Sequence, residues 1–284
     1  MPTRTLGRTG AKVSILAFGG GSRFLMYKDD EYEAVLNRAL ELGITYFDCA
    51  FGYGNGKSEE RFGNVLKPHR DKIWLVTKIG DRDYDGFMRT FEGSLKRLKT
   101  DHLNLVHAHA LSNEEDLAKL EDKNNGALKA MYKIREQKMT QAIGVSCHTA
   151  PNVLKSALER HDFDCTQMAL NAGRIGQSEP QPVSFEATAL PVANKKNLGV
   201  IAMKVFGQEK LNGKASVDEL IRYSLSLPVS AAVVGMPKMD MLEKNVAVAK
   251  GFQPMSPTDR DKLFGSVGQH KVAMDRFFAD HIDC

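Results

Sequence analysis

No stretch of this chain approaches the ~20 uninterrupted apolar residues that a membrane span requires. The opening Met1-Pro2-Thr3-Arg4 leads into no apolar run of the signal-peptide kind. A soluble, cytoplasmic protein with no membrane partner is expected. Cysteine is scarce: of 284 residues only Cys49, Cys147, Cys165 and Cys284 are cysteine, and none forms a CxxC pair. That disfavours both a disulfide framework and a zinc site. An excess of charge of one sign is missing too. The 39 basic and 35 acidic residues are interspersed and leave a net charge of +4, so nucleic acid is not the expected partner. The small surplus would suit a phosphate-bearing small molecule, although a solvated surface is the simpler account. Linkers and low-complexity tracts are also absent, and residues 1–284 read as one barrel-sized domain. Oligomeric state is left open.

What is present is alternation. Short apolar, β-branched runs occur at Val13–Phe18, Ile44–Asp48, Ile73–Lys78, Leu103–His109, Gln141–Ser146, Asp164–Leu170, Gly199–Lys204 and Ala231–Gly235. Between them lie segments of helical period. Tyr32, Val35, Leu36, Ala39 and Leu40 share one face, and Gly43 stops that helix. Phe87, Met88, Phe91, Leu95 and Leu98 make a second stripe. Val217, Leu220, Ile221 and Leu225 make a third, opened by the capping box Ser216-x-x-Glu219 and stopped before Pro228. Ser112-x-x-Glu115 reads as another capping box, and Ser58 as the cap of the second helix.

Eight strand-like runs, each followed by a helical run, are the pattern of a parallel sheet with helical crossovers. Within this length the pattern predicts a closed (β/α)8 TIM barrel, an α/β fold. The open doubly wound sheet carries GxGxxG after its first strand. Here that turn reads Gly19-Gly20-Gly21-Ser22, which does not match. Thr5–Val13, with Gly7-Arg8-Thr9-Gly10, predicts a small hairpin plugging the barrel's bottom. After Phe252 the tail should form helices outside the barrel or over its mouth.

Active sites of such barrels sit at the C-terminal ends of the strands. The second strand ends in Asp48 with Tyr53 in the loop behind it, the third in Lys78 and the fourth in His109. Taken singly, Asp48 and Lys78 read as a structural ion pair, Tyr53 as a loop aromatic and His109 as a packed core histidine. Their placement on one rim points instead to chemistry. Several segments around them stand in order with regular spacing: Ile44 through Gly54 and on to Gly56-Lys57-Ser58-Glu59, Val76-Thr77-Lys78, Leu98 to His109, Ala142-Ile143-Gly144-Val145-Ser146, and Gly235 followed ten residues later by Asn245. Over nearly the whole chain they resemble the aldo-keto reductases.

The resemblance implies a carbonyl-reducing oxidoreductase that uses NADPH, with NADH as the alternative and a small-molecule aldehyde or ketone as substrate. Tyr53 would be the general acid, and Lys78 would lower its pKa from about 10. Asp48 would hold Lys78, and a neutral His109 would orient the carbonyl. Ser58 and Glu59 would be structural. Ser146 and Gln167 would hold the nicotinamide carboxamide, with Gly20 and Met203 along the cofactor. Lys204 and Gly207 would follow its pyrophosphate. Gly235, Lys238 and Asn245 would take its far end, Lys238 favouring a 2′-phosphate. The sequence departs from the family at Cys147, where asparagine is usual, at Met203 for an aromatic, at Met241 for an arginine and at Lys244 for an acid. Cys49 and Cys147 would lie near the site, and a thiol there would be oxidation-sensitive if cations lower its pKa.

Three rival readings compete with this one. Gly56-Lys57-Ser58 ends like a phosphate-binding loop, but Phe51 stands where its first glycine should be. His107, His109 and His148 make a metal-dependent hydrolase conceivable, yet no acid ends the last strand and no metal ligand is assigned. A cofactor-binding regulatory or redox-sensing relative with little turnover is compatible with the same residues. A second, looser resemblance, carried by Ile143 to His148 and Ile201 to Lys204, is to a bacterial branch with an added ferredoxin-like domain. This chain lacks the clustered cysteines for one. The tail residues Phe277, Phe278 and His281 would line the mouth or pack outside. Aldehyde, ketone, quinone and sugar substrates are not separated.

Overall fold

The apolar runs close on one another in register. The computed structural model describes residues 1–174 and 183–269, together with 271, 272 and 275. A short antiparallel hairpin comes first, β1 (Thr3–Thr5) and β2 (Lys12–Ser14). Eight strands follow: β3 (Leu16–Gly19), β4 (Tyr46–Asp48), β5 (Trp74–Ile79), β6 (Leu103–Ala108), β7 (Thr140–Cys147), β8 (Cys165–Ala169), β9 (Gly199–Met203) and β10 (Ala231–Gly235). All are parallel, and β10 pairs with β3 to close the barrel. The helices between and after them are α1 (Ser22–Leu25), α2 (Tyr32–Glu41), α3 (Lys57–Leu66), α4 (Tyr84–Leu98), α5 (Glu114–Leu120), α6 (Ala127–Glu136), α7 (Pro151–Arg160), α8 (Ala189–Lys195), α9 (Val217–Ser226), α10 (Met239–Lys250) and α11 (Pro257–Gly268). No helix among the described residues is long and apolar enough to cross a membrane.

The alternation of strand side chains divides the apolar residues between two cores. Phe18, Phe47, Leu75 and Val106 point outward and pack with the stripes of the helices, including Val35, Leu36, Phe87, Phe91 and Leu98. Ala17, Tyr46, Trp74 and Leu105 point inward and fill the barrel together with Leu6 and Val13 of the hairpin. The hairpin therefore plugs the bottom, as its turn residues predict. Gly7 makes this possible, since a Cβ there would lie 2.2 Å from the Gly199 nitrogen. The plug is tied to late parts of the chain: the Arg8 amide donates to the Asn197 carbonyl (2.6 Å) and the Arg4 guanidinium to the Val229 carbonyl (2.8 Å).

The structure differs from the sequence reading at several element ends. The run Val13–Phe18 splits into β2 and β3, because Ser14 and Thr45 exchange hydrogen bonds between backbone amide and hydroxyl and turn the chain between them. The capping box at Ser216 is present as expected. At α5 the cap is Asn113 rather than Ser112, whose amide and hydroxyl bond Asp116 instead. Ser58 caps nothing. Gly56, left-handed at φ 93°, precedes α3, and the Ser58 hydroxyl donates to the Gly20 carbonyl at 2.7 Å. Val217 is 43% exposed rather than in the stripe of α9, where Leu220, Ile221 and Leu225 are buried. α11 buries Leu263 and Val267 in the outer core. Phe277, Phe278, His281 and Cys284 lie outside the described residues.

Helix α3 meets α4 through Gly63, where a Cβ would lie 2.2 Å from the Arg97 carbonyl oxygen. Gly63→Ala is therefore expected to force the helices apart at a cost of about 1–3 kcal/mol. The measurement is the urea midpoint at unchanged slope. A midpoint equal to the parent's would mean that the two helices do not approach this closely.

Candidate active site

Neighbouring strands bring the polar rim together. Asp48 ends β4 and Lys78 is the penultimate residue of β5, so both side chains turn into the barrel's upper end. The Lys78 ammonium donates to Asp48 Oδ2 at 2.5 Å, to the Cys49 carbonyl at 3.0 Å and to the Tyr53 hydroxyl at 3.4 Å. It also stands 4.9 Å from the Tyr53 ring centroid, a cation–π distance. Lys78 and Asp48 are nearly inaccessible, at 1% and 2% exposure. Burial pushes the Asp48 carboxyl up, and the Lys78 ammonium and Gln167 amide pull it back. Burial also opposes the charge on Lys78, but Asp48 and then Tyr53 hold it above the ordinary lysine value. In the pair, the cation on Lys78 is the firmer of the two charges. His109, directly after β6, sets its ring edge-on to that of Tyr53, with centroids 5.6 Å apart and planes at 84°.

Behind this rim runs a cavity of about 560 Å³, within the range of ligand sites. Of the residues expected there, Asp48, Tyr53, Gln167, Met203, Lys204, Gly235 and Asn245 line it. Lys78 and His109 stand outside the lining, beside Asp48 and Tyr53, and so do Gly20, Ser146, Gly207 and Lys238. The Gly20 amide donates to the Asp48 carbonyl (2.7 Å), and a Cβ on Gly20 would lie 2.7 Å from Ser58 Oγ. That position is closely packed behind the wall, while Gly19 and Gly21 face the cavity. The Ser146 hydroxyl accepts from the Ala110 amide at 2.9 Å. Gly207, left-handed at φ 52°, donates to the Lys204 carbonyl. Lys238 is exposed at the N-cap of α10, and its neighbours Pro237 and Met241 form the wall.

Several cavity residues are given no cofactor or carbonyl role by the sequence reading, which weighed His148 only as a metal ligand. His148 lines the reacting end, its ring 6.2 Å from that of His109. Arg23, after β3, pairs with Glu209, after β9, at 2.9 Å across the cavity wall. Nothing local in the sequence signals that pair, which joins residues far apart along the chain. The left-handed backbone of Lys204, Gln208 and Glu209, which shapes that loop, is carried by residues other than glycine. Phe206 and Val205 add apolar surface beside Met203.

Cys49 and Cys147 do not behave as exposed thiols. Both are fully buried outside the cavity lining, and Cys49 Sγ donates to the Val76 carbonyl at 3.1 Å. Burial pushes the Cys49 thiol well up and outweighs the neighbouring Lys78. His107 points into the barrel interior, in register with Lys78 and with Gly144, whose missing side chain makes room for the imidazole. Burial holds that ring neutral. No cluster of three or more His, Cys, Asp or Glu suited to a metal ion occurs among the described residues.

Comparison with known proteins gives a consistent picture. The aldo/keto reductase family model matches residues 16–220. The chain is 26% identical over 295 residues to L-galactose dehydrogenase of Arabidopsis thaliana, with 89% of each chain covered. It is 28% identical over 305 residues to D-threo-aldose 1-dehydrogenase of a Pseudomonas species, with 88% of each covered. An aldo-keto reductase of Bacillus halodurans, solved in its holo form, has the same fold at a TM-score of 0.76 and 21% identity, covering 94% of this chain and 96% of that one.

Lys78→Met leaves the Asp48 carboxylate buried without its cation, which is expected to cost about 3–5 kcal/mol near neutral pH. The folded-state pKa of Asp48 then rises further above its unfolded value of about 3.9, so the penalty is complete at high pH and fades as pH falls toward that value. Urea midpoints measured at about pH 7 and about pH 4.5 should show a deficit that narrows in acid. A deficit independent of pH would assign the loss to packing instead.

Proposed function

The chain belongs to the aldo/keto reductase family, and from that premise we propose that it reduces an aldehyde or ketone to an alcohol with NADPH. The observation that carries this reading is the run of contacts from Asp48 through Lys78 to the Tyr53 hydroxyl at one end of the cavity. Its residues fit a nicotinamide. Gln167 is 1% exposed, and its amide nitrogen points to Asp48 while its Oε1 has no hydrogen-bond partner among the described residues. That buried acceptor suits the NH2 of a carboxamide, because a buried acceptor left unmet is costly. Gln167 would hold the nicotinamide with Met203 and His148 nearby, Lys204 and Gly235 would flank the phosphates, and Asn245 would lie at the adenosine end. Bound there, the reduced nicotinamide supplies a hydride.

The chain's own part is positioning and proton transfer. The substrate oxygen would sit between the Tyr53 hydroxyl and the His109 ring. Tyr53 would give its proton to the oxygen as negative charge builds there. Lys78, 3.4 Å from the phenol oxygen, would stabilise the phenolate left behind. Asp48 would keep Lys78 in place and balance its charge in a dry setting. His109 would aim the carbonyl by a hydrogen bond that strengthens as the oxygen becomes an alkoxide. Both relatives compared above are named as dehydrogenases. The same arrangement serves that direction, with Tyr53 taking the proton from the alcohol.

Tyr53→Phe is expected to lower kcat for carbonyl reduction by roughly 10²–10⁴-fold while leaving nucleotide affinity within about twofold. Steady-state rates beside a fluorescence titration of the nucleotide check both halves, and a variant as fast as the parent removes Tyr53 from the chemistry. Lys238, at the N-cap of α10, supports the preference for NADPH. In parallel titrations NADPH should bind more tightly than NADH, and Lys238→Ala should weaken NADPH alone. Equal loss for both nucleotides would place Lys238 away from the 2′-phosphate.

A further inference from the structure

The peptide that carries His109 is held on both sides. Its amide donates to the Ile79 carbonyl of β5 at 2.8 Å, extending the β5–β6 ladder one residue past the strand. Its carbonyl accepts from Arg82 Nη2 at 2.6 Å. The next residue, Ala110, is left-handed at φ 55°, a conformation that L residues other than glycine resist because Cβ crowds the backbone. Ala110 is kept there by its amide bond to Ser146 Oγ at 2.9 Å and by the following Leu111 amide, which donates to the Ser146 carbonyl at 2.8 Å. A strained residue persists only when its surroundings over-determine it. Here the turn directly follows the imidazole that faces Tyr53.

Arg82 is itself anchored. Its Nε and Nη2 form a two-pronged pair with Asp116 at 2.6 and 2.9 Å, and its Nη1 donates to the Gly80 carbonyl at 3.0 Å. Both side chains are largely withdrawn from solvent, at 14% and 18% exposure, so this pair is screened less than a surface bridge. Asp116 is fixed in turn by the Ser112 amide at 3.0 Å and by its place in the first turn of α5. Burial alone would push its carboxyl up, but Arg82 and the Ser112 amide hold it below the ordinary range. The arginine thus joins the loop after β5 to the loop after β6, and its fourth contact is the carbonyl of His109.

We infer that Arg82, clamped by Asp116, is a positioning residue that fixes the aim of the His109 imidazole toward Tyr53 by holding the left-handed turn at Ala110. The inference rests on the reading of His109 as the group that orients the carbonyl. Without the guanidinium, the His109 carbonyl loses the Arg82 bond, the two Ser146 contacts no longer suffice to hold Ala110 left-handed, and the ring before it turns. A fork is needed for this task, since one ammonium cannot grip both Asp116 oxygens and the His109 carbonyl with the same geometry.

The test uses the full chain and four proteins: the parent, Arg82→Met, Arg82→Lys, and the double variant Arg82→Met with Ala110→Gly. Three quantities are read: kcat/KM on a carbonyl the parent reduces, the dissociation constant for NADPH, and the His109 ring resonance in a carbon–proton spectrum, assigned with His109→Asn. The expected result is a fall in kcat/KM of roughly 10- to 100-fold for both single variants. NADPH affinity stays within about twofold and the His109 resonance moves. Glycine accepts φ > 0 without strain, so the double variant should recover most of the rate and return the resonance toward its parent position. A His109 resonance unmoved in Arg82→Lys overturns the inference, whatever the rate does. So does a double variant no better than Arg82→Met, which would mean that Arg82 acts by general stability. If Arg82→Met does not fold, Arg82→Lys carries the same comparison. A parent that binds NADPH but reduces no carbonyl would sink the reductase reading, and the resonance arm would still decide whether Arg82 aims His109.

Discussion

The ion pair between Lys78 and Asp48 is the constraint on which the site depends. Two charges at 1% and 2% exposure are tolerable only if they meet each other closely. The barrel supplies that geometry from its backbone. β4 and β5 are adjacent, and their register sets Asp48 opposite Val76, two residues before Lys78, so both side chains reach the same upper layer. The Cys49 carbonyl and the Tyr53 hydroxyl take further bonds from the ammonium. The phenol is thus drawn to a cation that Asp48 keeps charged against its burial. A shift of β4 by one residue would turn Asp48 outward into the apolar layer, so strand register and chemistry are one requirement here.

Around that pair the site is built from contacts of two ranges, and this explains how much of it the sequence discloses. Local pattern carries the barrel. Apolar runs, helical stripes and the box at Ser216 each report on a few neighbouring residues, and the eight strands follow from them. The rim residues are legible because each ends a strand and because the segments around them resemble a known family. The cavity lining at Met203, Lys204 and Gly235 follows in the same way.

What is not legible lies at longer range or in backbone conformation. The pairing of Arg23 with Glu209, and the grip of Arg82 on the His109 carbonyl, join residues whose local sequence says nothing of each other. Left-handed residues such as Ala110 and Gln208 lack the glycine that usually marks such a turn. Ser58 shows a third cause. A serine near a helix start reads as a cap, yet Gly56 already shapes that start and the hydroxyl is taken by Gly20. The split at Ile15 is hidden for a related reason, because a β-branched run looks the same whether it serves one strand or two.

The hairpin at the bottom of the barrel has a consequence for how the chain reaches this structure. Several of its partners, and one partner of the adjoining β3, lie far along the chain: Arg8 bonds Asn197, Arg4 bonds Val229, and β3 pairs with β10. Contacts of such sequence separation are slow to form, because the loop between them must be closed before they repay its entropy. Leu6 and Ala17 of β3 are covered in part by Ile201 and Val233, which belong to the last two strands. The plug is therefore a closing step of assembly, and the interval before it is the chain's period of greatest exposure to wrong partners.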